Sequence, residues 1–150
     1  MTRLQAFVAP FNSFNFFVRH HNSEGEINEL ENGLIGDFSW KEVFVQNTPD
    51  GRAVAFESKN KPGFRLRHKN FRIVLDPMPT QQGAERDQFL KDSTFIEVDP
   101  LDGDPNDGWH SYRAWNFGDR YFAHTDGHLW LRQRDEAKMA PDAIFRPQPE

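Results

Sequence analysis

The feature that most restricts how this chain can fold is a segment that recurs, wholly or in part, three times along it. The stretch FESKNKPGFRLRHKNFRIVL (Phe56 to Leu75) lines up without a gap against YRAWNFGDRYFAHTDGHLWL (Tyr112 to Leu131). The alignment sets Phe56 against Tyr112, Asn60 against Asn116 and His68 against His124. A shorter copy, FNSFNFFVRHHN (Phe11 to Asn22), places His20 opposite His68 once three residues are removed from the preceding turn. A second element follows each copy: GDFSWKEV (Gly36 to Val43), KDSTFIEV (Lys91 to Val98) and PDAIFRPQ (Pro141 to Gln148). In these, Asp37, Asp92 and Asp142 align, and an aromatic residue stands three positions later as Trp40, Phe95 or Phe145. Successive His positions are 48 and 56 residues apart and successive Asp positions 55 and 50, so three units fill the 150 residues. A repeat of this length is one supersecondary unit that buries its apolar face only against its neighbours.

Within a copy the pattern has a period of two. Phe64, Leu66 and His68 alternate with Arg65 and Arg67, and Ile73 and Leu75 alternate with Arg72 and Val74, as half-buried strands do. Lys61, Pro62 and Gly63 supply a turn before the first strand, and Lys69 and Asn70 a turn between the two. The one segment with helical flavour, TQQGAERDQFLKD in the second copy, reads as a single loose turn. The composition agrees, with 15 Phe and 4 Trp and few of the residues that build amphipathic helices. An all-β fold is predicted, specifically a β-trefoil with pseudo-threefold symmetry, because a propeller needs at least four blades. The domain reading is a single unit over 1–150, with repeats at about 7–50, 51–105 and 106–150.

Charge and cysteine content narrow the partners. The net charge is -5 and uneven, with ten basic and eight acidic residues in 1–75 but eight and fifteen in 76–150, which argues against a nucleic-acid partner. The absence of Cys removes disulfides, thiolate metal sites and a catalytic thiol, and leaves the compartment undefined. The N-terminal stretch lacks the apolar run of a signal peptide, and no segment approaches the roughly 20 apolar residues of a membrane span, so a soluble chain with no membrane partner is expected.

The repeat resembles the arabinose-binding domain of α-L-arabinofuranosidase B, carbohydrate-binding module family 42. That family carries a phrase of the form F-x-S-x-N-x-P-G-Y-x-(I/V/L)-R-H-x-N-F followed by D-A-T-F. Copy two reproduces it nearly in full, as FESKNKPGFRLRHKNF (Phe56 to Phe71) and DSTF (Asp92 to Phe95). The resemblance covers essentially the whole chain and implies a β-trefoil with up to three shallow pockets for arabinofuranosyl side chains. It implies no cofactor, and it fits either a free-standing lectin or a module that is part of, or partner to, a glycoside hydrolase. Carried over by position, it nominates His68 and Asp92 with Asn70 in copy two, His20 and Asp37 with Asn22 in copy one, and His124 and Asp142 with Asp126 in copy three. Copy one lacks the Pro-Gly turn, and copy three has Ala123 for the Arg and Gly127 for the Phe, so copy two ranks first. A carboxylate and a neutral imidazole suit a sugar, whose hydroxyls both donate and accept. A single pocket is expected to bind weakly, roughly millimolar to tens of micromolar, and several pockets to gain on a branched glycan.

Competing readings attach to the same residues. Each His could be a strand-end residue bonded to backbone, and the trefoil could serve a protein partner with degenerate sugar pockets. Trp40 reads as a core anchor; Trp115 could stack on a sugar, although burial is the favoured reading, and Trp109 and Trp130 are open. The acidic stretch DPLDGDPNDG (Asp99 to Gly108) reads as a solvated connection without a metal, since an EF-hand starting at Asp102 would meet Asp107 and Arg113 where Gly and Glu are needed. A catalytic role is disfavoured: glycoside hydrolysis requires two carboxylates about one bond, whereas threefold repetition scatters them, and no catalytic residue is nominated.

Overall fold

The computed structural model describes residues 1–8, 16–135 and 139–150. The start of the first repeat copy, from Phe11, lies partly outside them. The described residues form twelve strands: β1 Thr2–Ala6, β2 Phe16–His21, β3 Glu24–Glu29, β4 Trp40–Thr48, β5 Gly51–Ser58, β6 Phe64–Lys69, β7 Arg72–Pro77, β8 Phe95–Val98, β9 Ser111–Ala114, β10 Arg120–Thr125, β11 His128–Gln133 and β12 Phe145–Pro149. All named pairings are antiparallel, and ten of the strands close a barrel. The all-β expectation holds. No helix among the described residues is long and apolar enough to cross a membrane.

Three hairpins, β2–β3, β6–β7 and β10–β11, have the same construction. Each turns through two residues that both carry positive φ: Asn22 and Ser23 (52° and 61°), Asn70 and Phe71 (52° and 62°), and Asp126 and Gly127 (53° and 81°). These are the type I′ turns whose twist matches that of the flanking strands, and Asn and Asp tolerate the left-handed region better than most residues. The turn in copy two is therefore Asn70–Phe71 and not Lys69–Asn70, because Lys69 pairs with Arg72 and closes the ladder. The second turn residue aims its carbonyl at the next hairpin. Ser23 O accepts from Leu75 N at 2.8 Å, Phe71 O from Leu131 N at 2.7 Å, and Gly127 O from Ile27 N at 2.8 Å. The second strands β3, β7 and β11 consequently pair with one another in a closed triangle.

Beneath that triangle lies the larger of two buried clusters among the described residues. It contains the cross-strand pairs Val18–Ile27, Leu66–Leu75 and Phe122–Leu131, together with Trp40, Phe95 and Phe145, each at the start of β4, β8 or β12. The aromatic three residues after each Asp is thus a core anchor. Trp40, 0% exposed, also donates its indole N–H to Val18 O at 3.1 Å. The large Phe122 packs edge-on against Phe95 and Phe145 at 5.4 and 5.3 Å between ring centres, filling space that the smaller Val18 and Leu66 leave at the matching positions.

The segment expected to form one loose turn is a nine-residue helix, α1 Ala84–Asp92. Glu85 and Asp87 in its first turn and Lys91 in its last complement the helix dipole, and Phe89, 1% exposed, pins it to the body. Periodicity missed it because only one face residue is apolar enough to register. A shorter helix, α2 Met139–Asp142, and a 3-10 helix over Asn32–Phe38 occupy the matching places in the other copies. The acidic connection is exposed from Asp102 to Gly108, and Pro105–Asp107 forms one 3-10 turn. Of the remaining Trp residues, Trp115 is 37% and Trp130 38% exposed, which corrects the expected burial of Trp115. Trp109 packs edge-on to Phe7 at 5.8 Å with the Arg146 guanidinium 4.8 Å from its ring centre.

At the start of β5, a Cβ added to Gly51 would fall 1.9 Å from the Glu97 carbonyl oxygen of β8. Backbone is in the way there, so relief requires separating two paired strands. Gly51→Ala is expected to lower the unfolding free energy by about 2 kcal/mol or more in urea titrations followed by tryptophan fluorescence. Gly33→Ala, whose added carbon meets nothing within 4 Å, should leave the midpoint in place.

Candidate functional site

The hairpin of copy two and helix α1 converge on one hollow. His68, near the tip of β6, and Asp92, the last residue of α1, are only 5% and 6% exposed, yet both line a hollow of about 310 Å³ with Asn70, Phe71 and Phe117. A carboxylate at a helix C-terminus opposes the helix dipole. Its neighbours offset that: Arg67 donates to Asp92 Oδ2 at 2.5 Å, and Gln88 and Asn116 donate to Oδ1, each at 2.9 Å. The Asn116 amide also meets His68 Nε2 at 2.8 Å through its oxygen, and His68 Nε2 lies 3.4 Å from Asp92 Oδ1. The carboxylate requires a donor, so Asn116 turns its Nδ2 to Asp92 and its Oδ1 to His68. His68 must then carry its proton on Nε2.

The result is a relay, His68 to Asn116 to Asp92, in which the outer members belong to copy two and the middle one to copy three. Phe117, next to Asn116, packs edge-on to His68 at 5.4 Å and to Phe71 at 5.4 Å. These rings are the apolar part of the hollow's lining, and Arg67 and Asp92 belong to its polar part.

Copy one repeats the arrangement despite lacking the Pro-Gly turn. His20 Nε2 meets Asn60 Oδ1 at 2.7 Å, Asn60 Nδ2 donates to Asp37 Oδ1 at 2.8 Å, and Arg19 donates to Asp37 Oδ2 at 2.8 Å. The amide again comes from the following copy. His20 and Asp37 are 3.6 Å apart, and Ser58 Oγ lies a further 3.3 Å from the imidazole.

Copy three departs from the pattern. His124 Nε2 donates to the Phe7 carbonyl at 2.7 Å, the backbone-bonded arrangement, and among the described residues no bond joins it to Asp142. Asp142 instead accepts from Arg132 of β11 at 3.1 Å. The guanidinium that Ala123 cannot supply therefore arrives from the opposite strand of the same hairpin. The sequence counterpart of Asn60 and Asn116 for this copy, Asn15, lies outside the described residues.

Three nominated residues have a conformational role. Asn22, Asn70 and Asp126 each occupy the first left-handed position of a hairpin turn; Asn70 also lines the hollow beside His68 and Asp92, and Asp126 lines a hollow on the β10–β11 hairpin. The residues that sequence reading missed are Asn60 and Asn116, which bridge His to Asp, and Arg19, Arg67 and Arg132, which hold the carboxylates. The gap-free pairing of Asn60 with Asn116 was the available signal. Among the described residues no group of three or more His, Asp or Glu side chains is placed to hold a metal ion.

Comparison with known proteins places these elements in context. A family model described as the Alpha-L-arabinofuranosidase B (ABFB) domain matches residues 17–146. Alpha-L-arabinofuranosidase B of Emericella nidulans is 36% identical over 78 residues, covering 52% of this chain and 14% of that protein. A probable alpha-L-arabinofuranosidase B of Aspergillus clavatus is 38% identical over 76 residues, covering 51% and 13%. The chain thus spans a small fraction of the curated relatives it matches. Among solved structures, a GH54 α-L-arabinofuranosidase soaked with a cyclic sulfate inhibitor superposes with a TM-score of 0.75 at 21% identity, over 98% of this chain and 30% of that one. A GlcNAcα1-4Gal-releasing endo-β-galactosidase of Clostridium perfringens does so with a TM-score of 0.68 at 10% identity, over 99% and 32%. At these identities the structural likeness speaks for the fold alone.

The turn assignment separates shape from contact. Asn70→Gly, which keeps the left-handed geometry, should leave stability within about 0.5 kcal/mol of the parent, whereas Asn70→Ala should cost about 1 kcal/mol in denaturant unfolding. Equal effects of the two substitutions would show that the side chain, not the backbone conformation, matters at this position.

Proposed function

This chain belongs to the alpha-L-arabinofuranosidase B domain family, and on that premise we propose that it is a non-catalytic carbohydrate-binding module of family 42 that holds arabinofuranosyl side chains of arabinan- or arabinoxylan-type glycans. The observation that carries the reading is the His68–Asn116–Asp92 constellation on the wall of an open hollow. It sets an imidazole N–H and a carboxylate oxygen 3.4 Å apart, bridged by Asn116, with the carboxylate oriented by Arg67 and Gln88. The Asn116 amide engages that donor–acceptor pair as two neighbouring hydroxyls of a sugar would, with one group accepting and the other donating. Phe71 and Phe117 supply an apolar wall for the C–H side of the ring.

The three cyclic hairpins, the closed barrel beneath them and the shared core of matched residues support reading the fold as a β-trefoil with repeats at about 7–50, 51–105 and 106–150. Copy one, with the same relay, is the second binding pocket; copy three, whose His and Asp take separate partners, contributes least. Two pockets on one rigid body raise the effective concentration of a glycan bearing many arabinose branches. The non-catalytic reading is supported by the hollow of copy two, where Asp92 is the single lining carboxylate and is held by a guanidinium, an arrangement unlike the pair of acids that glycoside hydrolysis uses. The glycoside-hydrolase association is drawn from the relatives, of which this chain matches a minor part.

Affinity electrophoresis through gels containing arabinan or arabinoxylan tests this reading. His68→Gln and Asp92→Asn should each weaken retardation about tenfold, as the loss of one charge-assisted hydrogen bond would do. Migration that no polysaccharide alters, in the parent or in either variant, would sink the proposal and favour a protein partner for the same surface.

A further inference from the structure

A second hollow, of about 430 Å³, opens on the β10–β11 hairpin. Its walls include Phe71, Trp130, Arg120, Asp126, His128 and Arg132, while His124 and Asp142 take no part in it. Its floor follows from the sequence. Ala123 pairs across the ladder with Trp130, at the position where copy two pairs Arg67 with Val74 and copy one pairs Arg19 with Glu26. The substitution that departs from the family pattern in copy three therefore leaves a methyl group, not a guanidinium, opposite the indole.

Trp130 and Phe71 are each 38% exposed, and each is held by an arginine: the Arg72 guanidinium lies 5.1 Å from the Trp130 ring, and that of Arg120 lies 3.7 Å from the Phe71 ring. Such stacking fixes a ring while leaving its other surface to solvent. Phe71 holds its place at φ 62°, a conformation that a bulky side chain adopts at an energetic cost; Ser23 and Gly127 occupy the matching turn positions. Strain of this kind points from an observed outlier to a function. Polar groups surround the two rings. His128 Nδ1 accepts from Arg72 at 3.1 Å, which puts its proton on Nε2 as a donor, and the exposed Asp126 supplies an acceptor. An aromatic floor with a donor and an acceptor at its rim matches a six-membered sugar ring, which has a flat C–H face and hydroxyls around its edge. Phe71 also walls the hollow of His68 and Asp92, so the two spaces adjoin.

We propose that this hollow is a second sugar subsite, in which a pyranose ring lies on Trp130, and that it receives the main-chain sugar bearing the branch held by His68 and Asp92. The inference rests on the reading of the His68 hollow as a sugar pocket. Its test is calorimetric titration of the full chain with arabinose, xylobiose and arabinofuranosyl-α-1,2-xylobiose, in the parent and in Trp130→Ala, Trp130→Tyr and Asp92→Asn. The branched probe should bind the parent about tenfold more tightly than arabinose does, since it fills both subsites. Trp130→Ala should reduce the branched probe to the level of arabinose without changing arabinose itself, and Trp130→Tyr should keep most of the preference. As a readout that needs no variant, the Trp130 indole N–H resonance should shift with the branched probe and not with arabinose. A Trp130→Ala protein that retains the parent's preference, or an indole resonance indifferent to the branched probe, overturns the second subsite and leaves the His68 pocket standing. Arabinose binding unchanged in Asp92→Asn overturns the pocket itself, and with it the shared ligand.

Discussion

The fold depends on pairs of left-handed residues at three hairpin tips. Each pair reverses the chain in two residues and points a carbonyl at the next hairpin, so that three hydrogen bonds of 2.7 to 2.8 Å run in a circle from Ser23 to Leu75, Phe71 to Leu131 and Gly127 to Ile27. Circular closure of this kind satisfies backbone groups that would otherwise be stranded at the end of a barrel. It also fixes the height of each hairpin relative to its neighbours. The imidazoles of His20, His68 and His124, each one strand position before the last residue of its strand, are thereby set at a common level above the core.

The carboxylates reach that level by a different route. Asp37, Asp92 and Asp142 each stand in or at the end of a short helical turn, and the aromatic three residues on enters the core as the first residue of a strand. Burial of Trp40, Phe95 and Phe145 at 0% exposure therefore positions the acids indirectly, by clamping the chain just beyond them. Arginine then orients the charge, from β2 and β6 in the first two copies and from β11 in the third. The interchange of Arg67 and Arg132 across equivalent hairpins shows that the electrostatic requirement is for a guanidinium at a point in space, whichever strand provides it.

Much of this was legible in the sequence. The strand character and the role of Trp40 as an anchor follow from side-chain pattern, because burial on one face imprints a period of two. Phe71 at a turn was not legible, since nothing in its side chain favours positive φ; the hairpin register imposes it. Helix α1 was equally hidden, because a helix whose one buried apolar residue is Phe89 leaves almost no amphipathic trace. The relay through Asn60 and Asn116 was half visible: the alignment showed that the two residues match each other, but not that each reaches back into the preceding copy. Asn22, Asn70 and Asp126, which the resemblance nominates beside each His, hold the left-handed turn positions, and Asn70 and Asp126 also line hollows.

That backward reach makes the constellations of copies one and two a property of a seam. One copy of the motif contains an imidazole and an acid but not the amide between them, so a solitary unit would be chemically unfinished however well it folded. A ring of identical single units would repair the deficit, each lending its amide to the neighbour behind it. Joining the units in one polypeptide makes the loan permanent and lets each hairpin carry its own side chains, as β10–β11 does with Ala123 and Trp130.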